Sequence, residues 1–458
     1  MKHLLLFITI ATLFSSKLSG QITQQQIDVF LNDTAVRTGH VGISIYEPAT
    51  NKYLYTHNAE KNFLPSSNVK LFSMYAGMKY LGDSLVGLRY YKKDNTIVII
   101  PTGDPTLLHS DFTNQKVFDF LKLQKNILLS EKMSDDIWRE NRYGNGWSWN
   151  DYNEDYMTER SCFPIYKNMI NVELKDKIFN MKIDNINYSQ NNLIVIPSFL
   201  KSQIKNPDTL PNKNNFSIER ELGRTTFNII PANSKFTKQE IPFQTSSHTA
   251  LALLMDTITR IDSTQIANFK FGYFNTVKKE IPKVFTIHSQ PTDSLLRPMM
   301  HNSDNFFAEQ TLLMVSNEVL GYMSDEAIID TLLKTDLKDL PQKPRWVDGS
   351  GLSRYNLFSP NDFIYLLQKM QAEFGMRRIK NILPTAGQGT LRGYYENAIG
   401  KIYAKTGSMS NNVSLSGYIT TKKNKALLFS VHINGFSGTG RAGRKAIEKM
   451  ILKIIENN

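Results

Sequence analysis

Ser67 and Lys70 form an S-x-x-K motif, a spacing at which a lysine can activate a serine hydroxyl. The apolar pattern that follows predicts a helix from Ser67 to about Leu81. A serine at a helix N-terminus lies at the positive end of the helix dipole, beside free backbone N–H groups. A lysine three residues later lies on the same helical face, and a desolvated lysine can act as a neutral base. The motif therefore fits a serine nucleophile with a lysine base.

The S-x-x-K pattern alone does not establish a catalytic site. Ser198 and Ser202 begin two further copies, and a helix-capping serine followed by a solvated lysine has the same spacing. Two later motifs favour the catalytic interpretation: an S-x-N motif from Ser303 to Asn305, and a K-T-G motif that begins at Lys405 after a short apolar run. In this order the three motifs are the signature of serine enzymes that react with penicillin.

Other known motifs are absent from the sequence, or occur without the neighbouring elements that their function requires. Gly438–Gly443 matches G-x-G-x-x-G, but only 15 residues follow it, too few for the second strand of a dinucleotide-binding unit. It is interpreted as a tight turn between a strand and a helix. The H-E-x-x-H and G-x-S-x-G motifs are absent. The single cysteine, Cys162, excludes an intramolecular disulfide framework and a thiolate-rich metal site.

The first twenty residues are predicted to be a signal peptide. A short basic start precedes the apolar run Leu4–Phe14, and small residues lead to Gly20. The apolar run is too short to span a membrane, and Gln21 stands where a lipoprotein would need cysteine. A buried N-terminal helix is the alternative. We therefore expect an exported, periplasmic or otherwise extracytoplasmic protein with no stable membrane anchor.

The composition fits a folded protein with large cores. The chain has 458 residues, of which 41% are hydrophobic and 21% charged, and its 25 Gly and 17 Pro are ordinary. A disordered or collagen-like chain is excluded. The net charge of +12 is spread along the sequence without a Lys/Arg block, so no nucleic-acid partner is expected. The length favours about two to three domains.

The order of predicted elements indicates one domain interrupted by another. Residues 41–57 read as a hairpin, residues 426–435 as a strand, and the C-terminal residues as an amphipathic helix. Between them, residues 87–285 contain short apolar runs separated by turn residues, for example 96–100 and 192–197. The two ends of the chain have similar predicted elements, whereas the residues between them are mainly β. This order favours one domain with an insertion.

The sequence resembles the class C low-molecular-mass penicillin-binding proteins, the D-alanyl-D-alanine carboxypeptidases/endopeptidases. The separation of 236 residues between Ser67 and Ser303 is longer than in β-lactamases. Ser408 stands where the family commonly has threonine. Five further segments carry the resemblance: Gly103–Leu107, Gly146–Asp151, Asp348–Asn356, Gly389–Gly393 and Lys405–Met409.

The resemblance implies an α+β fold. Its penicillin-binding domain is an antiparallel sheet flanked by helices, as in serine β-lactamases, with two nested, mainly β inserted domains. We expect residues 1–20 to be the signal peptide, 21–86 and 286–458 the penicillin-binding domain, 87–111 and 192–285 inserted domain II, and 112–191 inserted domain III.

The resemblance also implies the catalytic roles. Ser67 would form an acyl-enzyme, Lys70 would take its proton, and Ser303, flanked by Asn305 and Lys405, would relay a proton to the leaving amine. No metal or organic cofactor is implied. The expected partners are peptidoglycan stem peptides as substrates and β-lactam antibiotics as covalent inhibitors.

Substrate-binding residues are carried over from the same resemblance. The hydroxyls of Thr406 and Ser408, with Lys405, would hold the terminal carboxylate, and Gly407 lies between them. The backbone N–H groups of Ser67 and Ser408 would form the oxyanion hole.

A second subsite would read a diaminopimelate side chain. Asp151 would bind its ammonium, Arg354 its carboxylate, and Trp149 with Met409 would supply an apolar wall. The structural alternative is that Asp151 caps a turn and Arg354 braces a loop.

Three other functions use the same residues or the same setting. A serine β-lactamase shares the first chemical steps, and a D-amino-acid esterase or amidase could use this fold. A non-catalytic peptidoglycan-binding protein would be expected to lack Ser67 or Lys70, and both are present.

Overall fold

The computed structural model describes residues 24–130, 136–174, 193–205, 217–230, 238–262, 268–272 and 283–458. The expected signal peptide, residues 1–20, lies outside these ranges. Within them, no helix combines the length and the apolar composition that a membrane crossing requires.

The described residues form both helices and strands. The helices are α1 (Gln24–Leu31), α2 (Lys70–Tyr80), α3 (Lys116–Leu121), α4 (Ser247–Ile261), α5 (Thr292–His301), α6 (Asn305–Leu320), α7 (Asp325–Lys334), α8 (Pro360–Ile382) and α9 (Gly440–Asn457). The strands are β1 (His40–Glu47), β2 (Lys52–His57), β3 (Ser84–Lys93), β4 (Thr96–Ile100), β5 (Asn126–Ser130), β6 (Met169–Leu174), β7 (Leu193–Ile196), β8 (Ile204–Lys205), β9 (Ser217–Arg220), β10 (Phe227–Ile230), β11 (Lys238–Pro242), β12 (Asn268–Gly272), β13 (Phe285–Pro291), β14 (Ile402–Met409), β15 (Asn412–Thr420) and β16 (Ala426–Asn434).

One antiparallel sheet is built from the two ends of the chain. Its strand order is β14-β15-β16-β1-β2, so among the described residues the first strand, β1, lies beside the last, β16. Buried residues occur at nearly every position of β1, β15 and β16, because helices cover both faces. Helices α1 and α9 pack on one face, and α8 packs on the other. The predicted hairpin, strand and C-terminal helix are confirmed.

A second sheet takes its strands from the middle of the chain. Its order is β12-β5-β4-β3-β13, and its pairs are partly parallel. Strands β3 and β13 cross the expected limits at 86/87 and 285/286, and β5, from expected domain III, pairs with β4 and β12. Two three-stranded sheets, β8-β10-β9 and β11-β6-β7, lie in the same part of the chain. We call the described part of residues 84–291 the inserted region, because strands of the first sheet precede and follow it in the sequence. The nested domain limits stay a prediction.

Helix α2 lies in the centre of the largest core. Every residue from Leu71 to Met78 is buried, so α2 is enclosed on all sides rather than amphipathic. It packs against α5 and α6, and Phe72 contacts the rings of Trp346, Phe358 and Phe363. This packing gives the N-terminus of α2 a rigid support.

The Gly438–Gly443 segment contains the end of the turn after β16 and the first turn of α9. The Thr439 hydroxyl caps α9 by accepting a hydrogen bond from Ala442 N at 3.2 Å. The interpretation of this motif as a turn is confirmed.

Candidate active site

Ser67 lies in a 3₁₀ turn, Ser66–Val69, that leads directly into α2. The predicted helix is therefore present, with a tighter first turn. Lys70 begins α2, and its buried Nζ lies 3.0 Å from Ser67 Oγ. The same Nζ donates to Asn305 Oδ1 at 2.6 Å and to the Ser350 carbonyl at 2.7 Å. Three separate parts of the chain thus fix one amine.

The S-x-N motif lies at the start of α6. Asp304 caps this helix, because its Oδ1 accepts from Phe307 N at 2.9 Å. Ser303 precedes the cap with a φ of +58°, a left-handed conformation that costs about 1–3 kcal/mol for a residue with a side chain. Asn305 Nδ2 donates to the Tyr156 carbonyl at 2.9 Å, which leaves its Oδ1 facing Lys70.

Lys405 lies on edge strand β14 and is fully buried. Its Nζ donates to Ser303 Oγ at 2.9 Å and to the Thr406 carbonyl at 2.7 Å. The structure therefore brings all five expected catalytic side chains together: Ser67, Lys70, Ser303, Asn305 and Lys405.

Burial changes the proton affinity of both lysines. It lowers the pKa of Lys70 to about 8, although the carboxylates of Asp348, Glu309 and Asp304 act in the opposite direction. Burial, together with the charge of Lys70, holds the pKa of Lys405 well below its ordinary value. A desolvated amine beside a serine hydroxyl can accept the hydroxyl proton near neutral pH.

The loop 348–356 holds the Ser350 carbonyl against Lys70. At its centre is the fully buried carboxylate of Asp348. Oδ1 of Asp348 accepts from Gly351 N at 2.8 Å and Asn356 Nδ2 at 2.7 Å, and Oδ2 accepts from Ser353 N at 2.6 Å and Trp147 Nε1 at 2.9 Å. Four donors on one carboxylate define the conformation of this loop.

Two glycines allow other segments to approach the serine turn. Gly351 has a φ of +81°, and a Cβ there would lie 1.9 Å from the Ser66 carbonyl oxygen. At Gly407 a Cβ would lie 2.5 Å from the Pro65 carbonyl oxygen. Glycine is therefore required where the 348–356 loop and β14 meet the backbone of the serine turn.

The end of β14 is open at the site. Thr406 is nearly buried, Ser408 is exposed and Met409 is partly exposed. Arg444, from α9, donates to Ser408 Oγ at 3.4 Å. Hydroxyls and a guanidinium therefore line this side of the site.

The four residues expected to bind a diaminopimelate side chain come from three segments: the turn with Trp149 and Asp151, the 348–356 loop with Arg354, and the end of β14 with Met409. Trp149 is 74% exposed in a 3₁₀ turn that also contains Asp151. Burial, and a hydrogen bond with the Asp151 carboxylate, raise the pKa of Tyr156 to about 12. The side chain of Arg354 is exposed, and its backbone N donates to the Gly146 carbonyl at 3.2 Å. Their role stays a prediction.

Sequence reasoning missed three groups at the site: the backbone carbonyls of Ser350 and Tyr156 and the carboxylate of Glu309. Ser350 and Tyr156 contribute backbone carbonyls, which no residue type reveals, and Asp348 entered only through the resemblance. Glu309 was also missed: it lies on α6 four residues after Asn305, and its Oε1 accepts from Ser350 N at 2.8 Å. An acidic residue inside the otherwise apolar pattern of α6 was the available signal.

The acids around the site do not form a metal centre. Among the described residues, no group of three or more His, Cys, Asp or Glu side chains is arranged to hold a metal ion. Asp348 is satisfied by four N–H donors, and Glu309 by Ser350 and Arg160.

Comparison with known proteins places the chain in one family. Residues 23–457 match the model of the D-Ala-D-Ala carboxypeptidase 3 (S13) family. A D-alanyl-D-alanine carboxypeptidase from an Actinomadura species is 23% identical over 453 residues, covering 91% of this chain and 81% of that protein. The D-alanyl-D-alanine carboxypeptidase DacB of Haemophilus influenzae is 29% identical over 161 residues, which are 32% of this chain and 33% of that protein.

A solved structure shares the fold. The crystal structure of penicillin-binding protein 4 (dacB) from Haemophilus influenzae superposes with a TM-score of 0.73 at 18% sequence identity, covering 95% of this chain and all of that one. The same protein has been solved with a β-lactam. These findings confirm the predicted family, fold class and enzyme class.

We expect Asp348→Asn to destabilise the protein. An asparagine has one acceptor oxygen, and its NH₂ would face one of the two pairs of N–H donors now bound by the carboxylate. Losing two such hydrogen bonds should lower the free energy of unfolding by about 3 kcal/mol or more. Chemical denaturation measures this difference.

Asp330→Asn is the matched control. Asp330 lies on α7 in an exposed pair with Lys334 at 2.6 Å, so its loss should change stability by less than about 0.5 kcal/mol. Equal losses in both variants would contradict the role given to Asp348.

Proposed function

The chain belongs to the D-Ala-D-Ala carboxypeptidase 3 (S13) family, and we propose that Ser67 is the nucleophile with which it cleaves the D-Ala-D-Ala end of peptidoglycan stem peptides. The observation that carries this proposal is the buried Lys70 amine at 3.0 Å from Ser67 Oγ. In the same site, a second buried lysine contacts a second serine.

Acylation begins with transfer of the Ser67 hydroxyl proton to neutral Lys70. Ser67 Oγ then bonds to the carbonyl carbon of the penultimate D-Ala, and the carbonyl oxygen becomes an oxyanion. The backbone N–H groups of Ser67 and Ser408 are proposed to bind that oxyanion, an interaction worth about 3 kcal/mol per donor. Collapse of the intermediate breaks the C–N bond and leaves an ester on Ser67.

The leaving amine needs a proton when the C–N bond breaks. Ser303 Oγ is the proposed donor, and the proton that Lys70 took from Ser67 replaces the one that Ser303 gives up, so Lys70 becomes neutral again. Lys405 Nζ contacts Ser303 Oγ at 2.9 Å and orients its hydroxyl. Asn305 Oδ1 accepts a hydrogen bond from Lys70 Nζ and so fixes the amine that takes the first proton. Water then attacks the ester while neutral Lys70 takes its proton, and Lys70 returns that proton to Ser67 Oγ as the acid product leaves.

Recognition of the terminal carboxylate is assigned to the end of β14. Lys405, whose charged form a bound carboxylate would favour, and the hydroxyls of Thr406 and Ser408 offer hydrogen-bond donors to this group. Gly407 between them keeps the strand close to the serine turn. A β-lactam presents a carboxylate and a strained amide in a similar arrangement, and the β-lactam complex of the Haemophilus relative supports covalent inhibition here.

The setting of this reaction is proposed to be outside the cytoplasm. The basic start and apolar run of residues 1–20 support export, and the stem peptides of the cell wall are the substrate that the family implies.

We expect a fluorescent penicillin to label the protein covalently, with a rate that rises through about pH 8 as Lys70 loses its proton. Well below that midpoint, at pH values where Glu309 is also protonated, the rate should fall about tenfold per pH unit, because only neutral Lys70 accepts the Ser67 proton. Gel fluorescence over a pH series measures the rate, and release of D-Ala from a stem pentapeptide measures turnover.

Ser67→Ala is the control for the nucleophile. It should abolish both labelling and D-Ala release while thermal unfolding stays near wild type. Labelling of a folded Ser67→Ala protein would place the nucleophile elsewhere.

For the side-chain subsite, we expect Asp151→Ala and Arg354→Ala to slow cleavage of a diaminopimelyl-D-Ala-D-Ala peptide. A lost charged contact should reduce kcat/KM about ten- to a hundredfold. Acylation by benzylpenicillin, which lacks that side chain, should change little.

Arg260→Ala removes an arginine on α4 that pairs with Asp256 at 2.8 Å and serves as the control for charge loss. If Asp151→Ala and Arg354→Ala slowed both reactions equally, these residues would have a structural role and would not read the substrate.

A further inference from the structure

We propose that Glu309 is a positioning residue for Lys70, acting through the backbone of Ser350, and that Arg160 of the inserted region holds Glu309 in place. This inference rests on the proposed function, because it concerns the base that activates Ser67. Glu309 touches neither Ser67 nor the position expected for the substrate.

The contact between Glu309 and Lys70 passes through one residue. Glu309 Oε1 accepts from Ser350 N at 2.8 Å, and the Ser350 carbonyl accepts from Lys70 Nζ at 2.7 Å. Glu309 and Ser350 are almost completely buried, so water cannot replace either hydrogen bond. The Ser350 carbonyl therefore keeps its direction toward Lys70 only while Glu309 holds the amide.

Neighbouring contacts keep the loop close to α6 and α2. The Gly349 carbonyl accepts from Ser73 Oγ of α2 at 2.6 Å, and a Cβ at Gly349 would lie 2.6 Å from the Ala308 carbonyl oxygen. Glu309 follows Ala308 directly, so its side chain lies where the loop crosses α6. A side chain at Gly349 would therefore prevent the loop from lying this close to α6.

Arg160 fixes the other oxygen of Glu309. Arg160 is fully buried, and its Nη1 lies 3.5 Å from Glu309 Oε2 and also bonds Asp325 at the start of α7. Nη2 of Arg160 pairs with Glu140 at 3.1 Å and donates to the Asn141 carbonyl at 3.0 Å. The Glu309 carboxyl thus connects the inserted region to the catalytic loop.

The buried carboxyl groups around Arg160 outnumber the positive charges beside them, which favours the protonated form of a carboxyl group in this cluster. Burial, with Asp348 nearby, raises the pKa of Glu309 to about 8 against the opposing effect of Arg160. Burial, with Asp325 nearby, raises the pKa of Glu140 to about 7. The charged groups that face Glu309 and Lys70 are Arg160, Glu140, Asp325, Asp348, Asp304 and Lys405.

Glu309 and Lys70 consequently ionise over the same pH range. As pH rises through about 8, Glu309 becomes negative while Lys70 becomes neutral. The new negative charge raises the pKa of Lys70 and opposes loss of its proton. Glu309 should therefore broaden the pH dependence of acylation and displace it to higher pH.

The experiment compares Glu309→Gln, Glu309→Ala and the wild type in acylation by a fluorescent penicillin from pH 5.5 to about 10. Glu309→Gln keeps an acceptor for Ser350 N and removes the charge. We expect its plateau rate to stay within about threefold of wild type, and its midpoint to fall by about 0.5–1 pH unit with a steeper rise. Glu309→Ala removes the acceptor, and its plateau rate should fall about tenfold or more.

Glu318→Gln is the matched control, because Glu318 lies on the same helix and pairs with Arg89 at 2.6 Å near the surface. It should keep the wild-type midpoint. An unchanged midpoint in Glu309→Gln, or an equal shift in Glu318→Gln, would overturn the inference. If Glu309→Ala does not fold, the Glu309→Gln profile still decides.

The same measurement separates this inference from the proposed function. A wild-type protein that takes up no penicillin on Ser67 would overturn the proposed function and this inference with it. A wild type labelled on Ser67 that shares its pH profile with Glu309→Gln would overturn this inference alone.

Discussion

Two lysine amines, those of Lys70 and Lys405, are buried in one site, and the surrounding structure follows from that burial. A buried amine without partners costs several kcal/mol, so it must be hydrogen-bonded or give up its proton. Here both occur. Lys70 has three oxygen acceptors from three segments of the chain, and its pKa falls to about 8. The segments that supply those acceptors are therefore held by their own buried contacts.

The inserted region takes part in this arrangement. Tyr156 accepts from Asn305, Trp147 donates to Asp348, and Arg160 pairs with Glu309. Asn305 accepts from Lys70 directly, and Glu309 accepts from Ser350 N, whose residue supplies a carbonyl to Lys70. Asp348 fixes the loop that carries Ser350. The insertion thus contributes to the geometry of the base as well as to the surface beside it.

Local signals in the sequence predicted several of the elements around the site. The helix after Ser67, the hairpin at 41–57 and the C-terminal helix have apolar patterns that predict their type, and all three elements are present. The roles of Ser350 and Glu309 could not be predicted in this way, because each depends on the meeting of segments far apart in sequence. For the same reason the pairing of β5 with β4 and β12 crosses the expected nested domains.

The position of β1 between β2 and β16 has a consequence for how the protein is made. β16 begins 379 residues after β1 ends, so during synthesis the hairpin of β1 and β2 has no β16 to pair with until those residues have been made. A two-stranded hairpin is marginally stable in water. Sheets that pair strands far apart in sequence fold slowly, because the entropy of closing the long loop is lost before the stabilising contacts form. Ser67 and Lys405 can therefore meet in this sheet only after β14 to β16 have left the ribosome, which keeps a partly made chain without a working site.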